Sequence, residues 1–206
     1  MIEFLIGSSL AASAGLNAWM PLFLLGLADR FLPAVSLPAG WSWISSDIAL
    51  WILGALLVLE IIADKIPALD SVNDVVQSVL RPASGGIVFG AGASAQTVAV
   101  DDPSTFFSEH TWVPVVTGIV IALIVHVTKA VARLTANTVT GGLAAPVLST
   151  AEDGASFLLA FLAIIVPILA GLLLLGLVIA TVALLRRRRR RGRLLTSTDD
   201  QPGAAA

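Results

Sequence analysis

The sequence contains no cysteine and no tyrosine, and only 13% of its 206 residues are charged. Without cysteine there is no disulfide framework, no thiolate chemistry and no Cys-based metal site. The missing tyrosine removes phenolic acid–base chemistry. Soluble domains carry about a quarter charged residues. Half that share, with 57% hydrophobic residues and a mean hydropathy of +0.93, points to a membrane. The net charge of -2 matters less than where the charges lie. Seven of the twelve Lys and Arg fall between Arg186 and Arg193, leaving five in the preceding 185 residues. The five Trp mostly sit near the ends of expected spans, as an interfacial belt requires.

Against this background one window stands out. Glu60 to Pro82 reads EIIADKIPALDSVNDVVQSVLRP and carries Glu60, Asp64, Lys65, Asp70, Asp74 and Arg81. Ionisable groups at membrane depth are costly unless paired or solvated. Pro67 suits the first turn of a helix, and Ile66, Leu69, Val72, Val75, Val76, Val79 and Leu80 make one apolar stripe. Asp70, Asp74, Gln77 and Arg81 share the opposite face. The stretch is therefore expected to be an amphipathic helix, lying in the interface or dipping into the protein.

Around that window the chain divides into apolar segments. Residues 2–28 carry Glu3 and no basic residue before the apolar run, so a retained span is expected rather than a cleaved signal. Pro21 predicts a kink or break near Asn17, because it removes a helical hydrogen bond and clashes with the preceding turn. Asn17 could answer a freed backbone group, the preferred reading, or line a polar path. A loop over 30–47 leads to a span at 48–63. A weak, small-residue span is expected at 82–100, followed by an acidic, extracytoplasmic loop at 101–110 and a strong span at 112–127. Beyond it His126, Lys129, Arg133, Asn137 and Thr140 form a polar stripe on one helix face, which Gly141-Gly142 and Pro146 end.

Ser149 and Glu152 have the spacing of a capping box, so Glu152 is read as a helix cap in preference to a functional acid. A last apolar run, 155–185, would be roughly 46 Å long as a helix and must tilt, kink near Pro167 or leave the bilayer. Residues 1–185 form one transmembrane helical domain in this reading. Residues 186–206 form an Arg-rich cytoplasmic anchor and a disordered tail, placing the C-terminus inside.

A shift of 64 residues aligns Gly54, Leu59, Lys65, Ala68, Asn73, Val75 and Pro82 with Gly118, Leu123, Lys129, Ala132, Asn137, Val139 and Pro146. This suggests an internal repeat of the kind transporters place around a polar site. The charge rule conflicts with an odd number of spans, and it favours six segments, with 134–150 as a weak crossing and both termini inside. The fold expected is thus all-α: a polytopic bundle of five to six membrane segments with broken or re-entrant helices.

The residues expected to bind a solute or line its pathway are Asn17, Glu60, Asp64, Lys65, Asp70, Asn73, Asp74, Arg81, His126, Lys129, Arg133 and Asn137. Four acids (Glu60, Asp64, Asp70, Asp74) face four bases (Lys65, Arg81, Lys129, Arg133), so the set can neutralise itself and the sign of a substrate does not follow. Such groups either lock helices together or form a solute or proton path; Glu60, Asp64 and His126 suit a relay. Catalysis is the weaker reading. Asp70 and Asp74 could hold Mg²⁺ and the diphosphate of a lipid, but they offer few ligands, and no hydrolase or metalloprotease motif is present. No cofactor is expected. The expected partners are membrane lipids and a small molecule or ion of undetermined identity, not nucleic acid; homo-oligomerisation is left open.

The segments GLNAWMPLFLLGLADR, EIIADKIPALDSVNDVVQSVLRPASGG and HVTKAVARLTANTVTGGLAAPVLSTAEDG together resemble a bacterial family of integral membrane proteins, the domain of unknown function 4126. The resemblance covers roughly residues 5–175. It implies a small polytopic protein of the bacterial inner membrane and assigns no activity. A small transporter or channel-like protein is the leading expectation. A structural or accessory membrane protein comes second, and an enzyme acting on a phosphorylated lipid third.

Overall fold

The computed structural model describes residues 1–103, 109–110, 112–141, 143–179 and 182, without the side chains of 67–72, 74 and 137. The chain divides into two units, Met1–Gly171 and Leu172–Ala206. Within the described residues the helices are α1 (Ile2–Leu16), α2 (Met20–Phe31), α3 (Asp47–Ala63), α4 (Pro67–Ala93), α5 (Trp112–Thr140) and α6 (Ala145–Ile165), with a 3-10 turn at Ser42–Ser45. A shorter apolar helix, α7, spans Pro167–Ile179. The extended elements among these residues are two isolated bridges, Ser36 with Gln96 and Thr97 with Val100. The protein is all-α, and α5 and α6 are long and apolar enough to cross a membrane.

The first unit is built around α1. Its middle is a run of Gly, Ser and Ala, and every residue from Ile6 to Gly15 is buried. Side chains this small let neighbouring backbones approach closely, and α4, α5 and α6 all pack against α1. The helix stops at Leu16, as Pro21 foretells: Pro21 sits in the first turn of α2, where its missing N–H is harmless. Helix α2 leans on α6, the 3-10 turn and α3. Ser46 caps α3 by accepting from the Ala49 N–H at 3.3 Å. Two connections are pinned together, because Ser36 and Gln96 exchange backbone hydrogen bonds of 3.1 and 2.9 Å.

Several expected boundaries change. The amphipathic stretch at 66–81 and the weak span at 82–100 are one helix, α4, which runs through Pro82 to Ala93. Proline inside a helix is tolerated where neighbouring helices support the freed backbone, and α4 is gripped by α1 and α5 on either side of that turn. Residues 134–150 are not a separate crossing: 134–140 complete α5, and 145–150 begin α6. Gly141, at φ +62°, supplies the turn between them. Pro146 therefore opens α6 instead of ending α5. The break near Pro167 is present at Val166, whose φ of -138° and ψ of 72° leave the helical region.

The aligned halves of the proposed repeat differ locally. Lys65 lies in the turn between α3 and α4, whereas Lys129 lies inside α5; Pro82 is inside a helix, whereas Pro146 is in a first turn. The shared Lys, Asn and Pro spacing is not a repeated structure.

Burial runs opposite to the soluble pattern. Trp51, Val75, Val79, Leu134 and Val147 are largely exposed, while Glu60, Asp64, Arg81, Lys129 and Arg133 are buried. Among the described side chains of α4, Val75, Val76 and Val79 face out while Gln77 and Arg81 face in. Helices α4 and α5 touch backbone to backbone: a Cβ added to Gly118 would lie 2.2 Å from the Gly85 carbonyl oxygen. Gly118→Ala should force the two helices apart and lower stability by about 1–3 kcal/mol, the usual penalty of overpacking. Gly154→Ala, where an added Cβ meets nothing within 4 Å, should be neutral or slightly stabilising. Thermal melts of the two purified variants check this; equal midpoints would mean that the glycine contact does not hold α4 to α5.

Candidate functional site: a buried charge centre at a helix break

Residues 17–19 separate α1 from α2, so backbone groups that a continuous helix would pair are free to meet side chains. The Leu16 carbonyl accepts from Lys129 Nζ at 2.8 Å. The Ala18 N–H donates to the Glu60 carboxylate at 3.0 and 3.3 Å, and the Ala18 carbonyl accepts from Ser84 Oγ. Asn17 Oδ1 accepts from the N–H groups of Trp19 and Met20 at 3.2 and 3.0 Å, capping α2 as the preferred reading of Asn17 expects. Its amide also reaches outward, donating to Asp153 Oδ1 at 3.0 Å. Asn17 therefore both caps the helix and joins the polar centre.

Helical periodicity brings the charges in. Glu60 and Asp64, four residues apart, share one face at the end of α3. Asn73, Gln77 and Arg81, also spaced by four, line the inner face of α4. His126, Lys129 and Arg133 line the facing side of α5, and Glu152 and Asp153 project from α6. Arg81, fully buried, donates to Glu60 Oε1 at 3.0 Å and to His126 Nδ1 at 3.0 Å. That ring nitrogen is the acceptor, because a guanidinium only donates.

Asp64 is the hub. Its Oδ1 accepts from Asn73 Nδ2 at 2.6 Å. Its Oδ2 faces Arg133 at 3.3 Å, Lys129 at 3.5 Å and Arg81 at 3.7 Å. Arg133 also grips Glu152, with Nη2 at 2.6 Å and Nε at 3.0 Å from Oε2, and Lys129 meets the same oxygen at 3.1 Å. Towards the surface Asp153 Oδ2 pairs with Lys65 at 3.2 Å. Side-chain exposure climbs along the network, from 0% at Arg81 through 15% at Glu152 to 37% at Lys65. The centre is sealed at one end and open at the other.

Nine of the expected residues are drawn together: Asn17, Glu60, Asp64, Lys65, Asn73, Arg81, His126, Lys129 and Arg133. The side chains of Asp70, Asp74 and Asn137 lie outside the described residues, as does the stretch 186–193. Two acids were missed. Glu152 and Asp153 sit inside α6, whose N-cap is Ala144, so Ser149 and Glu152 form no capping box; Ser149 is buried in the second turn. The sequence did hold a signal. Pro146 already marks a first turn, and Glu152 and Asp153 are the only acids between Glu109 and Asp199, in the same half of the chain as Lys129 and Arg133.

The chain belongs to the family of the Domain of unknown function (DUF4126), whose model matches residues 4–187 and so takes in the whole charge centre. No curated protein and no solved structure matches it.

Removing one member of a buried ion pair leaves an uncompensated charge, a loss of about 3–5 kcal/mol. Arg133→Gln and Glu152→Gln should each destabilise on that scale, and the double variant should lose less than the sum, with a coupling of about 1–3 kcal/mol. A double-mutant cycle by denaturant titration measures it; strict additivity would show that the close contact carries no energy.

Proposed function

We propose that the chain is a polytopic integral protein of a bacterial inner membrane, with its C-terminus cytoplasmic, whose charge centre lies on the path of a small solute or ion. The observation that carries this reading is the break between α1 and α2, whose two open helix ends each meet a charge of complementary sign. Lys129 binds the carbonyl end of α1, and Glu60 binds the amide end of α2, as the helix dipole favours. Broken helices that present backbone groups to charge near mid-bundle are the architecture in which secondary transporters build their sites. The apolar outer faces support placement in lipid, and the basic run at Arg186–Arg193 supports an inside C-terminus.

A second reading, a purely structural lock, draws on a different observation: each of Glu60, Asp64, Glu152 and Asp153 has a cation within 4 Å. Neutral-lipid vesicles loaded with potassium chloride, phosphate or succinate, plus a pH dye, separate the two. Protein-containing vesicles should pass at least one of these ions or protons faster than empty ones. Glu60→Gln and Asp153→Asn should return the rate towards that of empty vesicles while the protein still elutes as a folded species. Wild-type vesicles that match empty ones for every ion would leave the lock as the function.

A further inference from the structure

The charges of the centre are segregated by helix. Arg81 is on α4, and Lys129 and Arg133 are on α5; Glu60 and Asp64 are on α3, and Glu152 and Asp153 are on α6. The cationic helices belong to the tightest part of the fold. Helices α4 and α5 meet through Gly85 and Gly118, where an added Cβ would come within 2.2–2.3 Å of its neighbour, and both pack closely on α1. The acidic helices touch that pair only lightly: α3 leans on α2 and the 3-10 turn, and α6 packs on α1 and α2. A closely packed cationic face is thus covered by carboxylates carried on other helices.

We propose that Arg81, Lys129 and Arg133 form a binding site for a small oxyanion, a carboxylate or a phosphate, and that the Asp64 carboxylate stands in for it in this conformation. The inference rests on the solute-path reading and names the sign of the solute. Three cations converge on a single oxygen, Asp64 Oδ2, at 3.3, 3.5 and 3.7 Å, whereas charge-assisted hydrogen bonds close to about 2.7–2.9 Å. The other oxygen of Asp64, Oδ1, accepts from Asn73 at 2.6 Å. An oxyanion free of the main chain could offer the three cations separate oxygens at hydrogen-bond distance, beside the acceptors they already have in Glu60, Leu16 and Glu152.

Asp64 also sits at the C-terminal end of α3, the end of a helix that disfavours an anion, so its place is secured by the cations and not by its own helix. One turn from Arg81 on the same face of α4, Gln77 is buried with an Oε1 that has no hydrogen-bond partner. That acceptor suits a ligand bearing a donor, such as hydrogen phosphate or a hydroxy acid. Exchange of Asp64 for a monoanion such as dihydrogen phosphate would leave the net charge of the centre unchanged, and a dianion would add one negative charge.

The test is anion rescue at constant ionic strength. Asp64→Asn, in neutral detergent with chloride as the only anion, should melt below wild type. Its midpoint should climb saturably as potassium phosphate or succinate replaces chloride, and wild type should need a higher concentration for the same gain. Arg133→Gln placed on top of Asp64→Asn should abolish the gain, while Arg30→Gln, a cation paired with Asp47 outside the centre, should preserve it. Should Asp64→Asn not fold, Glu152→Gln uncovers the same Lys129 and Arg133 and should show the same rescue. A parallel arm without soluble oxyanion compares nanodiscs of phosphatidylcholine with and without phosphatidylglycerol. Rescue by phosphatidylglycerol assigns the oxyanion to a lipid headgroup, and rescue by phosphate or succinate assigns it to a free solute. Identical melting in every anion and lipid, or rescue that survives the loss of Arg133, overturns the site. Rescue without vesicle flux removes the pathway and leaves the site; cation or proton flux without rescue removes the site and leaves the pathway.

Discussion

One carboxylate oxygen organises the centre of this protein. Asp64 Oδ2 is within 4 Å of Arg81, Lys129 and Arg133, and each of those cations has a further acceptor in Glu60, Leu16 or Glu152. A charge taken out of water costs several kcal/mol unless it is matched with good geometry. That constraint sets where helices must end and how they must be rotated. Helix α3 has to finish beside α4, α5 has to turn Lys129 and Arg133 inward, and α6 has to bring its second turn to theirs. The outer faces, being apolar and exposed, favour no one arrangement over another. The buried charges do.

The same constraint explains why the first helix stays broken. Pro21 alone would permit a kink in a continuous helix. What keeps residues 17–19 open is that their backbone groups have partners stronger than an ordinary helical bond. A carbonyl facing an ammonium and an N–H facing a carboxylate are both charge-assisted. Ser84 and Asn17 satisfy most of what remains. Substituting the proline would remove the steric cause of the break and leave the electrostatic one in place.

Much of this was legible in the chain. Helix α3, the break before Pro21, the kink before Pro167 and nine of the twelve expected site residues follow from apolar runs, proline chemistry and the cost of charge among apolar residues. What was not legible depended on reading a spacing without its context. A Ser and a Glu three apart describe a capping box and, equally, two neighbours on a helix already under way; only the earlier Pro146 separates the two, and it was assigned to the preceding helix. Pro82 was read as a boundary because local sequence does not show the grip of α1 and α5 that carries α4 through it. The Lys, Asn and Pro spacing shared by two windows concealed a turn in one and a continuous helix in the other.

The balance of charge was legible in part: Glu60 and Asp64, with Glu152 and Asp153, meet Lys65, Arg81, Lys129 and Arg133, while Asp70 and Asp74 lie outside the described side chains. A balanced sum says nothing about a ligand's sign so long as the charges are treated as one set. It becomes informative once they are divided among bodies. Here the bases of the sealed end ride on α4 and α5, joined backbone to backbone, and the acids ride on α3 and α6, which touch that pair lightly, although α6 packs on α1. The face whose geometry is held by backbone-to-backbone packing is the positive one. A neutral sum is therefore compatible with a positive face of fixed geometry, because which helix carries which charge matters more than the total.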